Sequence, residues 1–427
     1  VSLTLGRVLA AELLRRPHGD EMKMHRANIV LSPPAQALQR PLEGPGMQLH
    51  GSLAALDLDR WRPLLAADSG NASAVVDLRV GELTAFGQHL SEVLLRASAR
   101  DGNWEAALRA QEMAGELAFR AADGGRLRAR FAHFRLGEKR PGTPAPALQP
   151  QQLPSLDFVA ERFSYRGREL GRVELAAERA GADWRIERLA MTTPEARLVA
   201  SGLWRDGAPA GTSLQFELDT SDAGRFLGRV GYPDVVSGAA ARLSGRVGWN
   251  GWPGAIDYPS LGGELALEAS NGQFLEIDPG FGKLLALMSL QQLPRRIALD
   301  FRDVFSKGFA FERIASSGEV DRGVMALKEF RMRGSSAQVD MRGEVDLARE
   351  TQKLRVRVVP SLGDSAATVI ALVNPLLAIP AAIAQKILRD PLGHIFAFDY
   401  AVSGGWSDPK VERVGVEAQA AESPPVQ

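Results

Sequence analysis

The chain of 427 residues contains no cysteine. This excludes a disulfide framework, thiol catalysis and cysteine-held zinc, and it suits the cytoplasm and a cell envelope equally. Charge of either sign is not in excess: 51 Lys and Arg balance 51 Asp and Glu. The basic surplus of a nucleic-acid binder is therefore missing. Local basic runs such as Arg126-Leu127-Arg128-Ala129-Arg130 alternate with apolar residues and read as the outer face of a strand. Histidine is scarce, and His18, His25, His50, His89, His133 and His394 show no ligand spacing such as HExxH. The nucleophile elbow Gly-x-Ser-x-Gly is absent, and Gly280-Phe281-Gly282-Lys283 lacks the spacing and trailing Ser/Thr of a phosphate loop. Asp300 and Asp303 flank Phe301-Arg302 at the end of an alternating run; capping and pairing with Arg302 account for them without acid–base chemistry. The residues thus offer no catalytic constellation, no metal site and no cofactor site.

What is abundant is glycine and strict alternation. Leu214-Gln215-Phe216-Glu217-Leu218, Leu265-Ala266-Leu267-Glu268, Val339-Asp340-Met341-Arg342 with Val345-Asp346-Leu347, and Leu354-Arg355-Val356-Arg357-Val358 each carry one apolar and one polar face. That pattern predicts antiparallel strands with a dry side and a wet side. A short motif, Gly-Glu followed by Leu or Val, recurs at Gly81, Gly115, Gly263, Gly318 and Gly343. It reads as a repeated strand start after a turn, with the Glu facing water. Elsewhere a strand ends in Asp and a short helix follows. Asp59, Asp222 and Asp278 fit its N-cap, and Pro279 fits the first helical position.

Roughly twenty strands at about 4.8 Å each would make a sheet on the order of 100 Å long, with few helices to cover its apolar side. Such a sheet either closes on itself or bends into a trough. The expected fold is mainly β: an elongated, twisted antiparallel sheet bent into a groove, with a few short helices and a helical insertion near the C-terminus. The expected groove lining is Leu214, Phe216, Leu218, Leu265, Leu267, Val339, Met341, Val345, Leu347, Leu354, Val356 and Val358.

The insertion is the stretch around which the C-terminal half is organised. Ser365–Gln385 carries no charged residue and is long enough to span a bilayer, but Pro375 and Pro380 interrupt a simple span. Strand patterning on both flanks predicts that the segment leaves and returns on one side. Two short apolar helices are expected, over Ala366–Val373 and Pro380–Leu388, with Ile379, Ile383 and Ile387 as one stripe. They read either as a plug over the open end of the sheet or as a hydrophobic tip. A tip would meet a membrane or a partner through Val369, Ile370, Val373, Leu376, Leu377, Ile379, Ile383 and Ile387.

Residues 1–138 are expected to form the N-terminal part of the groove and 156–360 its C-terminal part. Between them, residues 139–155 contain Pro141, Pro144, Pro146, Pro150 and Pro154 and read as a linker or a loop within one sheet. Residues 361–392 are the insertion, 393–410 a closing strand and 411–427 a disordered tail. The start at Val1, without Met or an N-terminal anchor, reads as a fragment of a longer protein.

The segments Leu284–Leu293, Pro294-Arg295-Arg296, Leu299–Phe305 and Gly308–Phe311 resemble the core of the YhdP proteins, members of the AsmA-like envelope family related in architecture to TamB. The resemblance continues through Val358-Val359-Pro360, the apolar insertion and Tyr400-x-Val402-x-Gly404-x-Trp406-x-Asp408-Pro409. It implies the C-terminal part of a periplasmic β-structure that reaches from the inner membrane, through an N-terminal anchor missing here, toward the outer membrane or a partner there. It also implies a hydrophobic groove carrying phospholipid, with no catalytic residues. The physics agrees: exposing about sixteen methylenes to water costs on the order of 12 kcal/mol, so a carrier needs an unbroken apolar path. A structural scaffold of the envelope is the alternative.

Overall fold

The computed structural model describes residues 1–18, 21–32, 46–60, 73–85, 87–137, 149–207, 210–275, 309–335, 337–360 and 397–414. Twenty-two strands dominate them, which is the mainly β class that the alternation predicts. They divide into two compact units, Val1–Pro194 with Val199–Ala210, and Glu195–Leu198 with Gly211–Gln427.

In the first unit, twelve strands form a continuous ladder: β1 (Ser2–Leu5), β2 (Leu9–His18), β3 (Glu21–Leu31), β4 (Gly46–Asp57), β5 (Ala74–Ala85), β6 (Gln88–Arg100), β7 (Asn103–Arg109), β8 (Met113–Arg120), β9 (Arg126–Leu136), β10 (Ser155–Tyr165), β11 (Arg168–Ala180) and β12 (Asp183–Thr192). The strand β13 (Ala196–Arg205) follows. The ladder is not wholly antiparallel, as the alternation had suggested. The pairs β3–β4, β4–β5 and β9–β10 are parallel. Alternation reports which face is wet and is silent on strand direction; a parallel neighbour needs a longer connection than a hairpin, and each of these three pairs has one. The Pro-rich run 139–155 is the connection between β9 and β10, so it links two neighbouring strands of one ladder.

One face of this unit is apolar. Phe131 and Phe134 meet edge-to-face at 4.8 Å, and Phe134 meets Phe158 at 5.3 Å. Directly opposed residues share a face, and a row of them crosses the ladder: Leu9, Leu31, Gly51, Leu78, Leu95, Leu108, Gly115, Phe131, Ala160. A Cβ on Gly51 would lie 2.1 Å from the Leu31 carbonyl oxygen, and one on Gly115 would lie 2.2 Å from that of Arg130. Only glycine permits such an approach of two backbones.

The second unit is a purely antiparallel meander in chain order: β14 (Gly211–Thr220), β15 (Val236–Trp249), β16 (Gly262–Phe274), β17 (Phe309–Asp321), β18 (Val324–Arg333), β19 (Ala337–Asp346), β20 (Thr351–Pro360), β21 (Phe398–Gly405) and β22 (Asp408–Arg413). The expected tail from residue 411 is shortened at its start, because β22 runs to Arg413. Between β14 and β15 lies α1 (Ala223–Val230). Asp222 caps it as predicted, its carboxylate accepting from the Arg225 N–H at 3.0 Å. Gly231, left-handed at φ +103, ends it.

Two local expectations change. Asp59 is not an N-cap: Asp57 accepts from the Arg60 N–H at 3.2 Å, and Asp59 reaches the Gly87 N–H at 2.8 Å. The Gly-Glu motif is not a strand start in general, since Gly81, Gly318 and Gly343 lie inside β5, β17 and β19. Its Glu is exposed in all five copies, as expected. The glycine serves packing between strands rather than a turn.

Candidate functional site

The antiparallel register of the second unit brings all the predicted lining residues onto one face. A transverse row crosses it: Phe216, Gly245, Leu265, Gly318, Leu327, Gly343, Leu354, Val402, Val411. From β14 to β20 a bulky apolar residue and a glycine alternate, one per strand. A Cβ on Gly245 would stand 2.4 Å from the Glu264 carbonyl oxygen and 2.7 Å from Leu265 Cδ2, so the leucine lies over the glycine. Gly318 is roomier, with the nearest atom, the Ala326 carbonyl oxygen, at 3.1 Å. Beside this row run others of the same character, Leu214–Val247–Gly263–Val320–Met325–Val345–Gln352 and Leu218–Leu243–Leu267–Ser316–Phe330.

Burial on this face is graded. Val345 is 2% exposed and Val358 1%, and Val339, Met341, Leu354 and Val356 are equally deep in the core. Leu214, Phe216, Leu218, Leu265, Leu267 and Leu347 are half-buried. Tyr400, Met332 and Ile314 belong to the same buried cluster and were missed by the sequence reading. Tyr400 stands opposite Val356, and that pairing could have been found from the alternation of Phe398–Val402. Met332 could not, because the β18–β19 register slips between Leu327 and Arg331.

The opposite face is ionic. Arg242 donates to Asp219 at 2.6 Å and pairs with Glu217 at 3.1 Å. Lys328 meets Glu319 at 2.6 Å; that hydrogen bond holds the Glu319 carboxyl below its ordinary range and raises the Lys328 ammonium. A cleft of about 520 Å³ beside β18–β21 sets Arg342, Arg355 and Arg413 near Phe330 and Tyr400. His89 in β6 and His133 in β9 sit within strands, as expected, His89 Nδ1 lying 3.1 Å from Thr84 Oγ1. Among the described residues no group of three or more acidic or histidine side chains is placed to hold a metal ion.

Polar side chains on this face include Ser316, Thr212, which donates to the Gly251 carbonyl at 2.7 Å, and Gln352. Gln352 faces inward between Val345 and Gly404 and is 5% exposed, yet among the described residues neither its Nε2 nor its Oε1 has a hydrogen-bond partner. The buried indole Nε1 of Trp406 has none either. An unmet buried polar group costs about 1–3 kcal/mol, so both require an explanation.

At the other end of the strands, Phe274 opposes Phe309 and Val358 opposes Phe398. The strand ends that flank segments 276–308 and 361–396 therefore lie at the same end of the ladder as the β14–β15 connection that holds α1. The strands that flank the insertion, β20 and β21, are antiparallel neighbours; the insertion itself lies outside the described residues. The contact residues Val369, Ile370, Val373, Leu376, Leu377, Ile379, Ile383 and Ile387 lie outside the described residues, as do Asp278 and the Asp300/Asp303 pair. Within the described residues no helix is long and apolar enough to cross a membrane.

No solved structure matches the chain. A curated relative, the "Intermembrane phospholipid transporter YhdP" of Escherichia coli (strain K12), is 25% identical over 284 residues, covering 65% of this chain and 22% of the relative. The chain thus spans about a fifth of that relative's length. The YhdP protein family matches residues 1–411, and the chain belongs to this family.

Proposed function

We propose that this chain is a segment of a bridge-like lipid carrier, whose apolar face conducts phospholipid acyl chains between the inner and outer membranes of a Gram-negative envelope. The observation that carries this reading is the transverse row Phe216–Gly245–Leu265–Gly318–Leu327–Gly343–Leu354. It runs across the strands, along the direction in which the ladder extends. Bulky side chains and glycines alternate along it, and together they make an apolar path with no charged residue on it. The half-buried residues of β14 and β16 are where a chain first engages; the deeper rows of β19 and β20 form the floor. Headgroups stay in water at the open side of the path. The name of the Escherichia coli relative, an intermembrane phospholipid transporter, supports the same reading.

The end from which segments 276–308 and 361–396 depart is the end that meets a membrane or a membrane partner, through the apolar residues Val369–Ile387. The parent protein is periplasmic, held at the inner membrane and reaching the outer one. No step in this function is enzymatic, and the drive for transport comes from outside the chain.

A photoreactive residue at Leu267 or Phe216 tests the path, with Glu268 and Gln215 on the charged face as controls. Phospholipid should crosslink at the first pair and not at the second. Equal yields on both faces, or none, would favour the envelope scaffold instead.

A further inference from the structure

We propose that Gln352 and Trp406 form a polar station on the acyl path that holds the ester carbonyls of a diacyl lipid; the inference rests on the carrier reading above. Gln352 stands on the inward side of β20, directly opposite Val345 on β19 and Gly404 on β21. Trp406 follows at the β21–β22 turn, tied by its own N–H to the Glu350 carbonyl at 2.9 Å, and it packs against the same apolar cluster. Two residues along β20, Leu354 faces Gly343, the last glycine of the transverse row. The two unmet polar groups therefore adjoin the path at one end of its strands, opposite the end where segments 276–308 and 361–396 depart.

The chemistry narrows the ligand. The groups supply the two N–H of an amide and one indole N–H as donors, and a single amide oxygen as acceptor. Inward-facing neighbours are Val345, Leu354 and Val402, with no cation among them; Arg349 nearby is 81% exposed and paired with Asp346. A phosphate would be buried there without a countercharge, which is unfavourable. An ester carbonyl is neutral, accepts hydrogen bonds only, and sits at the top of an acyl chain. Two such carbonyls are held by the Gln352 amide and the Trp406 indole, one each, and Gln352 Oε1 accepts from water or a lipid hydroxyl. The acyl chains then extend along the glycine row while the glycerol region rests at Gln352.

The test compares dioleoyl phosphatidylcholine with its dialkyl ether analogue, which has the same headgroup and chains but lacks the carbonyls. The full chain should retain the ester lipid about five- to tenfold better. Gln352→Leu and Trp406→Phe should each lower the ratio, and the double variant should bring it to about one. Unliganded Gln352→Leu should melt no lower than the parent, since no hydrogen bond is lost; Gln352→Met is the unbranched variant if leucine does not fit. Equal retention of both lipids by the parent, or a ratio unchanged in both Gln352 variants, overturns the station and leaves the carrier reading intact. Failure of the parent to retain either lipid overturns both.

Discussion

Gly343 on β19 stands directly opposite Leu354 on β20, and a Cβ at position 343 would lie 2.2 Å from the Lys353 carbonyl oxygen and 2.9 Å from Leu354 Cα. Its φ of +136° is one that side-chain-bearing residues rarely adopt. Gly343→Ala should therefore destabilise the second unit by about 2 kcal/mol or more. At Gly318, with negative φ and its nearest neighbour at 3.1 Å, the same substitution should cost less than about 1 kcal/mol. Urea midpoints of the two variants decide the matter, and equal losses would mean that the glycine row is not a packing device.

The graded burial separates folding from lipid handling. Val356→Asp places an unpaired charge in the core and should unfold the unit. Leu267→Asp, at a half-buried position, should melt within about 1–2 kcal/mol of the parent and yet abolish phospholipid crosslinking at Phe216. Retained crosslinking in a folded Leu267→Asp protein would place the path elsewhere.

Within the second unit, Glu195 holds Arg229 of α1. Arg229 Nε and Nη2 donate to the Glu195 carboxylate at 2.5 and 3.1 Å, with the Glu195 side chain 6% exposed. Arg229→Ala removes both of these donors from the Glu195 carboxylate and should cost about 3 kcal/mol. Adding Glu195→Gln should recover part of the loss, a coupling read from a double-mutant cycle.

Acid sensitivity should follow from lowered carboxyls on the wet face. Glu319 is held down by the hydrogen bond from Lys328, and Asp346 chiefly by that from the Arg349 backbone N–H. A carboxyl lowered in the folded state contributes stability above its unfolded pKa and loses it as pH falls through the folded value. Stability should thus decline below the ordinary carboxylate range. Lys328→Gln should move Glu319 back up, as followed by NMR titration; both side chains are exposed, so salt should weaken the effect.

For the apolar segment, Leu377→Asp or Ile383→Asp should abolish association with anionic vesicles in flotation while leaving the urea midpoint of the sheet unchanged. Normal flotation by both variants would end the membrane-contact reading.

The residue order alone determined the strand class, the two faces and most of the dry side. Val339, Met341, Val345, Leu354, Val356 and Val358 were legible because a strand's side chains alternate with period two and burial of one face imposes that period. The Asp222 cap was legible for a similar local reason. Strand direction was not, since β3, β4 and β5 alternate in the same way whether their neighbours run with or against them. Nor was the glycine row: Gly245, Gly318 and Gly343 are about 70 and 25 residues apart in the chain, and only the register sets each between two bulky neighbours. The unmet Gln352 was hidden as well, because an inward polar residue becomes conspicuous only once every partner within reach has been accounted for. Local periodicity is written along the chain, whereas who faces whom across a sheet is a relation between distant segments, and tertiary folding alone settles it.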